Sequence, residues 1–307
     1  MLYEYALDPD CLNEWNKFRY FMDQFGIFHG RLISQFPKKW KRMVHEACHS
    51  FTYIQRQKMT YMLERATKYA IFSYERHYDG KLSWLENAIS QHQKKAFHAI
   101  IKDNSKDNTG SYKEDTDYIL AADEITESTN LWKIPREILV ERTAEDLSKA
   151  VAPLLQISDK IIFIDKYFIP GRNEHQLTLQ KFIQASKIND KNNPSFEYHT
   201  DYNLNNGNID FDNQCKRYIP SLLPKGTKIE IFRIDDKPGG EGMHARYILT
   251  NKGGVKVDWG LDISRKAGQK TIISLLDESL WEKLMVTYQY PSSEFELVDK
   301  TEIKGIL

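Results

Sequence analysis

Cysteine is scarce: Cys11, Cys48 and Cys215 are the only three in 307 residues. They are odd in number, far apart and without CxxC spacing. That argues against a disulfide framework or a paired-cysteine zinc site and makes a reducing compartment the expectation. Net charge is lacking too, because 43 basic and 43 acidic side chains cancel. A protein that coats nucleic acid by bulk charge is therefore disfavoured, and any phosphate-binding surface must be local. No apolar run approaches the roughly 18 residues of a membrane span. The opening MLYEYALDPD has acids where a secretory signal would have a basic stretch and an apolar core. The expectation is a cytoplasmic protein with no transmembrane segment. No internal repeat is present. What the chain does have is 41% hydrophobic and 12% aromatic residues, enough for a true core at about two domains' length.

Texture changes along the chain. Residues 1–101 carry aromatic and aliphatic residues at helical spacing, as in Trp40, Val44, Ala47 and Phe51, and again in Leu82, Leu85 and Ile89. Pro37 suits the first turn of a helix beginning near Lys38. Residues 102–118 are polar and read as a linker or long loop, followed by an acidic stretch from Glu114 to Glu127 with six acids. Beyond Pro135, one helical stripe is expected through Ile138, Val140, Ala144, Leu147, Val151 and Leu154. Strands are expected at 161–165, 196–199, 228–234, 244–251 and 255–259, with a possible last one at 294–298; helices are expected around 177–185, 211–223 and 279–288. Strands alternating with helices indicate an α/β sheet.

The sharpest chemical signal is His244-Ala245-Arg246, opening a strand after a Gly-rich loop. Residues i and i+2 of a strand face the same way, so an imidazole and a guanidinium project together. Phosphoryl chemistry uses that pairing, the imidazole attacking phosphorus and the guanidinium holding equatorial oxygens. An ordinary surface pair is the competing reading.

MHARYILTNKGGVKVDWGLD (243–262) resembles the signature of phospholipase-D-like proteins, His-x-Lys with an Asp five residues after the Lys and then a Gly-containing strand. It is more similar to a divergent branch reading His-Asp-Arg-Tyr, two apolar residues, Thr-Asp-x-Gly-Gly, then Gly-x-Gly-(Leu/Phe)-Asp. That branch includes the phospholipase-D-like C-terminal domain of MIT-domain proteins. IIFIDKYFIP (161–170) resembles its first core strand, and the likeness covers about residues 135–290. It implies that His244 stands at the nucleophile's position, Arg246 at the phosphate-binding Lys, Asn251 at the Asp, and Asp262 at the acid ending the Gly-(Leu/Phe)-Asp element. Arg for Lys keeps a cation, but Asn for Asp removes a carboxylate, and Asp258 and Trp259 stand where small residues are commoner. Classical members combine two motifs. One motif per chain implies either a homodimer sharing a site across a two-fold axis or an inactive descendant. The resemblance calls for no metal and no cofactor.

A second signal is basic. No acid occurs between Asp23 and Glu46, while Arg31, Lys38, Lys39, Lys41 and Arg42 fall there with Phe36 and Trp40 among them; residues 1–100 hold 15 cations against 10 acids. Interleaved cations and aromatics suit a phosphate backbone with base stacking. The same helix could instead bury Trp40, Met43 and Val44, or dock on an acidic protein surface or anionic lipid. His45-Glu46-Ala47-Cys48-His49 satisfies HExxH, which raises a zinc peptidase as a further option. His175 near Arg172, and His199 near Asp201, could line the mouth of the sheet.

The resulting expectation has three parts: a mostly α-helical basic domain over 1–101, a linker and acidic segment over 102–134, and an α/β domain of phospholipase-D-like type, a mixed sheet flanked by helices, over 135–307. Its expected role is non-catalytic binding of phosphate groups, of nucleic acid first, as an assembly module such as bacterial antiviral defence employs. A metal-independent phosphodiesterase or nuclease, acting as a homodimer, is the alternative.

Overall fold

A computed structural model describes residues 1–104, 117–186, 194–205, 210–240 and 242–307. It divides into two compact units, Leu2–Pro135 and Arg136–Leu307.

The N-terminal unit is not a helical domain. Its elements run β1 (Tyr3–Leu7), α1 (Trp15–Gln24), β2 (Arg31–Ser34), α2 (Trp40–Ala47), α3 (Tyr53–Tyr69), β3 (Ile71–Phe72), α4 (Trp84–Lys94), β4 (Ala99–Lys102) and β5 (Ile119–Ala121). All five strands are parallel, in the order β3-β2-β1-β4-β5. The strands are short and covered on both faces, so they lack the alternation that marks a half-exposed strand. Tyr5, Leu7, Ala99 and Ile101 face one core with Phe18 and Phe21 of α1 and Met59 and Leu63 of α3. Ala6 and Ile100, the intervening residues, face the other with Trp84 and Ala88 of α4. Local signals that set the helices are present: Thr52 with Gln55, and Ser83 with Glu86, form capping boxes at α3 and α4. The segment expected as a linker, 102–134, supplies β5, which pairs with β4, and Trp132, which joins the core. Residues 105–116 of it, with the first acids of the 114–127 stretch, lie outside the described residues.

The C-terminal unit is a mixed α/β fold, as expected. It comprises β6 (Glu137–Glu141), α5 (Ala144–Gln156), β7 (Lys160–Ile164), α6 (Asn173–Ser186), β8 (Ser195–Asp201), α7 (Phe211–Tyr218), β9 (Lys228–Asp236), β10 (Arg246–Thr250), β11 (Gly254–Val257), β12 (Lys270–Leu275), α8 (Glu278–Thr287) and β13 (Phe295–Lys304). The eight-stranded order is β13-β9-β8-β7-β10-β11-β12-β6. β7, β8 and β9 are mutually parallel, while β10 runs antiparallel to β7. The stripe drawn from Ile138 to Leu154 is split: Ile138 and Val140 sit in β6 and only the remainder in α5. Thr143 caps α5 by accepting from the Asp146 amide, and that fixes the break. No helix among the described residues is long and apolar enough to cross a membrane.

Candidate anion-binding site

The antiparallel pairing of β10 with β7 sets the site. Tyr247 lies opposite Ile164, so the start of β10 meets the end of β7 and brings Arg246 beside Asp165. Arg246 Nε is 4.0 Å from Asp165 Oδ1, and its guanidinium lies 4.9 Å from the Tyr167 ring centroid. Asp165 is buried and accepts from the amides of Tyr167 (3.0 Å) and Leu261 (2.7 Å). Burial raises its pKa, partly opposed by those amides and by His175 and Arg246.

Gly260 carries the chain from β11 toward Asp262. Its φ of +134° favours glycine, and a Cβ there would stand 2.8 Å from Asp262 Oδ1 and 3.4 Å from Asp165 Oδ2. The two carboxylates therefore flank one bare stretch of backbone. Arg142, just past β6, donates to Asp262 at 2.6 Å. The Nε atoms of both Arg142 and Arg246 are buried without a hydrogen-bond acceptor among the described residues.

Next to this cluster a cavity of about 260 Å³ opens at the N-terminus of α6, lined by Arg142, Arg172, His175, Asp262, Arg265 and Lys266 among others. Glu174 is taken by Arg265 and Asp262 by Arg142. Arg172 and Lys266 are left without an acidic partner among the described residues. His175 accepts from the Ile169 amide at Nδ1 (3.4 Å), and burial lowers its pKa against the pull of Asp165 and Asp262. The arrangement can hold an anion: a helix N-terminus, two cations at the mouth with no acidic partner among the described residues, and a neutral imidazole deeper in.

The expected site residues separate. Arg246 and Asp262 join this site. His244 precedes β10 rather than lying in it and is exposed. Its ring lies against Gly242, where a Cβ would be 3.2 Å from the imidazole Nε2 and 3.1 Å from Asp236 Oδ2. Arg246 reaches the His244 carbonyl (3.3 Å), and no contact joins its guanidinium to the imidazole among the described residues. Asn251 lies at the other end of β10, roughly 16 Å away at 3.3 Å per residue. Its Oδ1 accepts from the amides of Asp159 and Lys160, tying the end of β10 to the start of β7. Asn251 therefore does not join Arg246 and Asp262 in one cluster. His199 is wholly buried, bonded to Glu197 and stacked on Phe232, rather than lining the mouth. Arg142, Arg265 and Lys266 escaped the sequence reading because they come from two loops with no shared spacing; Arg172 was reached through its proximity to His175.

The basic window of the N-terminal unit is also redistributed. Trp40 is fully buried and donates its indole N–H to the Leu7 carbonyl (2.6 Å), so it cannot stack on a base. Arg31 donates to the carbonyls of Trp132 and Gln24 and lies 4.3 Å from the Trp132 ring, a structural role. Arg42 pairs with Glu46 (2.8 Å), and Lys41 contacts Thr67. Lys38 and Lys39 are exposed. α2 stops at Ala47, so His49 falls in the following turn and contacts the Glu46 carbonyl instead of aligning with His45. No group of three or more His, Cys, Asp or Glu among the described residues is arranged to hold a metal.

No family model and no curated protein matches the sequence. Among solved structures, TrmBL2, described as an archaeal chromatin protein showing a novel mode of DNA binding, matches 50% of this chain and 50% of its own at 11% identity and a TM-score of 0.25. A likeness that slight carries neither a fold nor a function across.

Proposed function

We propose that the C-terminal unit is a non-catalytic module, of the phospholipase-D-like kind, that binds a phosphate-bearing group, with nucleic acid as the first candidate. The observation that carries this is the surplus of Arg172 and Lys266 over the acids of the cavity at the N-terminus of α6, beside Arg142 and Arg246. The adjacency of 161–165 and 246–250, with Arg246, Asp165 and Asp262 in one cluster, supports the phospholipase-D-like reading. The exposure of His244, and the lack of contact between its ring and the Arg246 guanidinium among the described residues, favour binding over turnover. Titration of an oligonucleotide, and separately of inorganic phosphate, into wild type and Arg172→Ala/Lys266→Ala tests it. Binding lost in the variant, with His244→Ala unaffected, supports the reading; equal binding in all three ends it. Cleavage in EDTA that His244→Ala abolishes would replace it with the catalytic alternative, in which two copies of the chain share the site.

A second reading belongs to the N-terminal unit. Its strand order reverses between β1 and β4, and ligands of open α/β sheets bind at the carboxyl ends beside such a reversal. Asp8, Asp10 and Asp103 stand at those ends, near enough to Cys11 to help burial raise its thiol pKa. Magnesium uses only one or two carboxylates alongside ligand phosphates, so this edge favours a magnesium-bridged phosphate ester. Calorimetry with Mg²⁺ and inorganic phosphate together tests it, since equal affinity in wild type and Asp8→Asn/Asp103→Asn would end the reading.

A further inference from the structure

In the N-terminal unit, α1 and α3 border a groove of about 570 Å³ lined by Trp15, Arg19, Gln57, Lys58, Tyr61 and Met62. Three features set it apart from an ordinary helix surface. Tyr61 of the lining is 69% exposed on α3, and Tyr53, outside the lining, is 74% exposed. They are eight residues apart, about 12 Å along the helix axis at 1.5 Å per residue. Trp15 is held from behind by Phe18, stacked at 5.9 Å, and Phe51, edge-on at 5.6 Å. The lining contains two cations and no carboxylate, and neither Arg19 nor Lys58 has an acidic partner among the described residues. Glu14, the N-cap of α1, is engaged by Lys17 (3.2 Å), and Asp23, the acid within α1, forms no ion pair with Arg19 among the described residues.

We infer that this groove binds single-stranded nucleic acid, with a base stacked on Tyr61 and phosphates held by Arg19 and Lys58. An apolar protein helix would leave both cations facing its apolar surface, and an acidic one would leave the tyrosine π-faces unused. A single strand uses both: every base offers a π-face, whatever the sequence, and every linkage a charge. The groove is separate from the C-terminal anion site and does not depend on it.

Fluorescence anisotropy of a labelled single-stranded oligonucleotide on the full chain tests this. Tyr61→Ala is expected to weaken binding about 5- to 150-fold, the range for loss of one stacked base, while Tyr61→Phe, which keeps the ring, retains it. Reversing both cations, Arg19→Glu/Lys58→Glu, is expected to flatten the slope of log affinity against log salt by about 1.4 for two phosphates. All three positions line the surface groove, and unchanged circular dichroism confirms folding. Unchanged affinity in Tyr61→Ala and in the double charge reversal overturns the proposal. So does equal loss in Tyr61→Phe and Tyr61→Ala. Arg172→Ala/Lys266→Ala serves as the control for the other site: its failure to affect phosphate binding would sink the C-terminal reading and leave this one standing.

Discussion

The two units are both α/β, yet they arrange strands in opposite ways. In the N-terminal unit every described strand runs parallel and the sheet is sandwiched by helices. In the C-terminal unit three parallel strands continue into four successively antiparallel ones, β10, β11, β12 and β6. The difference decides where chemistry can gather. A parallel sheet sends all its carboxyl ends to one edge, so Asp8 and Asp103 arrive together because β1 and β4 are neighbours. A parallel–antiparallel junction places the end of one strand beside the start of the next, and that alone brings Arg246 to Asp165 from 81 residues away in sequence.

The sharpest way to break the comparison is to attack each sheet at its anchor. Trp40 is fully buried and bonded to the end of β1, so Trp40→Ala is expected to cost about 3–5 kcal/mol. Chemical denaturation should show this in the N-terminal unit while the phosphate affinity of the C-terminal site is kept; a loss under 1 kcal/mol would contradict the buried role. Next in size, Gly260→Ala forces a side chain against Asp262 and Asp165 at a positive φ. A cost of about 1–3 kcal/mol and a clear loss of phosphate binding are expected in a titration of the variant. Unchanged binding would show that the two carboxylates do not shape the site.

Acid should separate the units further. Burial holds the imidazoles of His175 and His199 below their ordinary pKa of 6.5, so both are neutral when folded. The unfolded chain takes up these protons first. Their contribution to stability is therefore complete above pH 6.5 and is lost as pH falls through the folded values. The N-terminal unit holds His92 and His98, also lowered but only half-buried, so its loss should be shallower. Urea melts at pH 7.5 and 5.5 measure it, with His199→Phe expected to reduce the C-terminal loss; parallel curves for the two units would defeat the argument. The smallest effect is expected from Lys38→Glu/Lys39→Glu, exposed side chains at the start of α2. Stability should move by no more than about 0.5 kcal/mol, and oligonucleotide binding should fall less than in Tyr61→Ala.

How legible the molecule was in its sequence varied with how far each feature reached. The C-terminal strands at 161–164, 228–234 and 246–250 carry dense β-branched runs between Gly and Pro breaks and were placed closely. β12 carries a similar β-branched run, Thr271-Ile272-Ile273, and was missed. The N-terminal strands are two to five residues long, too short to compete with the helical periodicity around them. In the site, Arg246 and Asp262 followed from one local motif, but that motif also pointed to Asn251, which the geometry of a strand carries to the opposite edge. The basic window misled for a related reason: a count of cations does not say which of them, like Arg31, are spent on carbonyls of their own chain.

Composition, the scarcity of cysteine, the capped helices and the β-branched runs were fixed locally, because each depends on neighbours within a few residues. Strand order, the pairing of Arg142 with Asp262, the burial of Trp40 and the exposure of Tyr53 and Tyr61 were decided only by tertiary structure. Each of these depends on which distant segments share a sheet or cover a face, and no spacing within the chain encodes that.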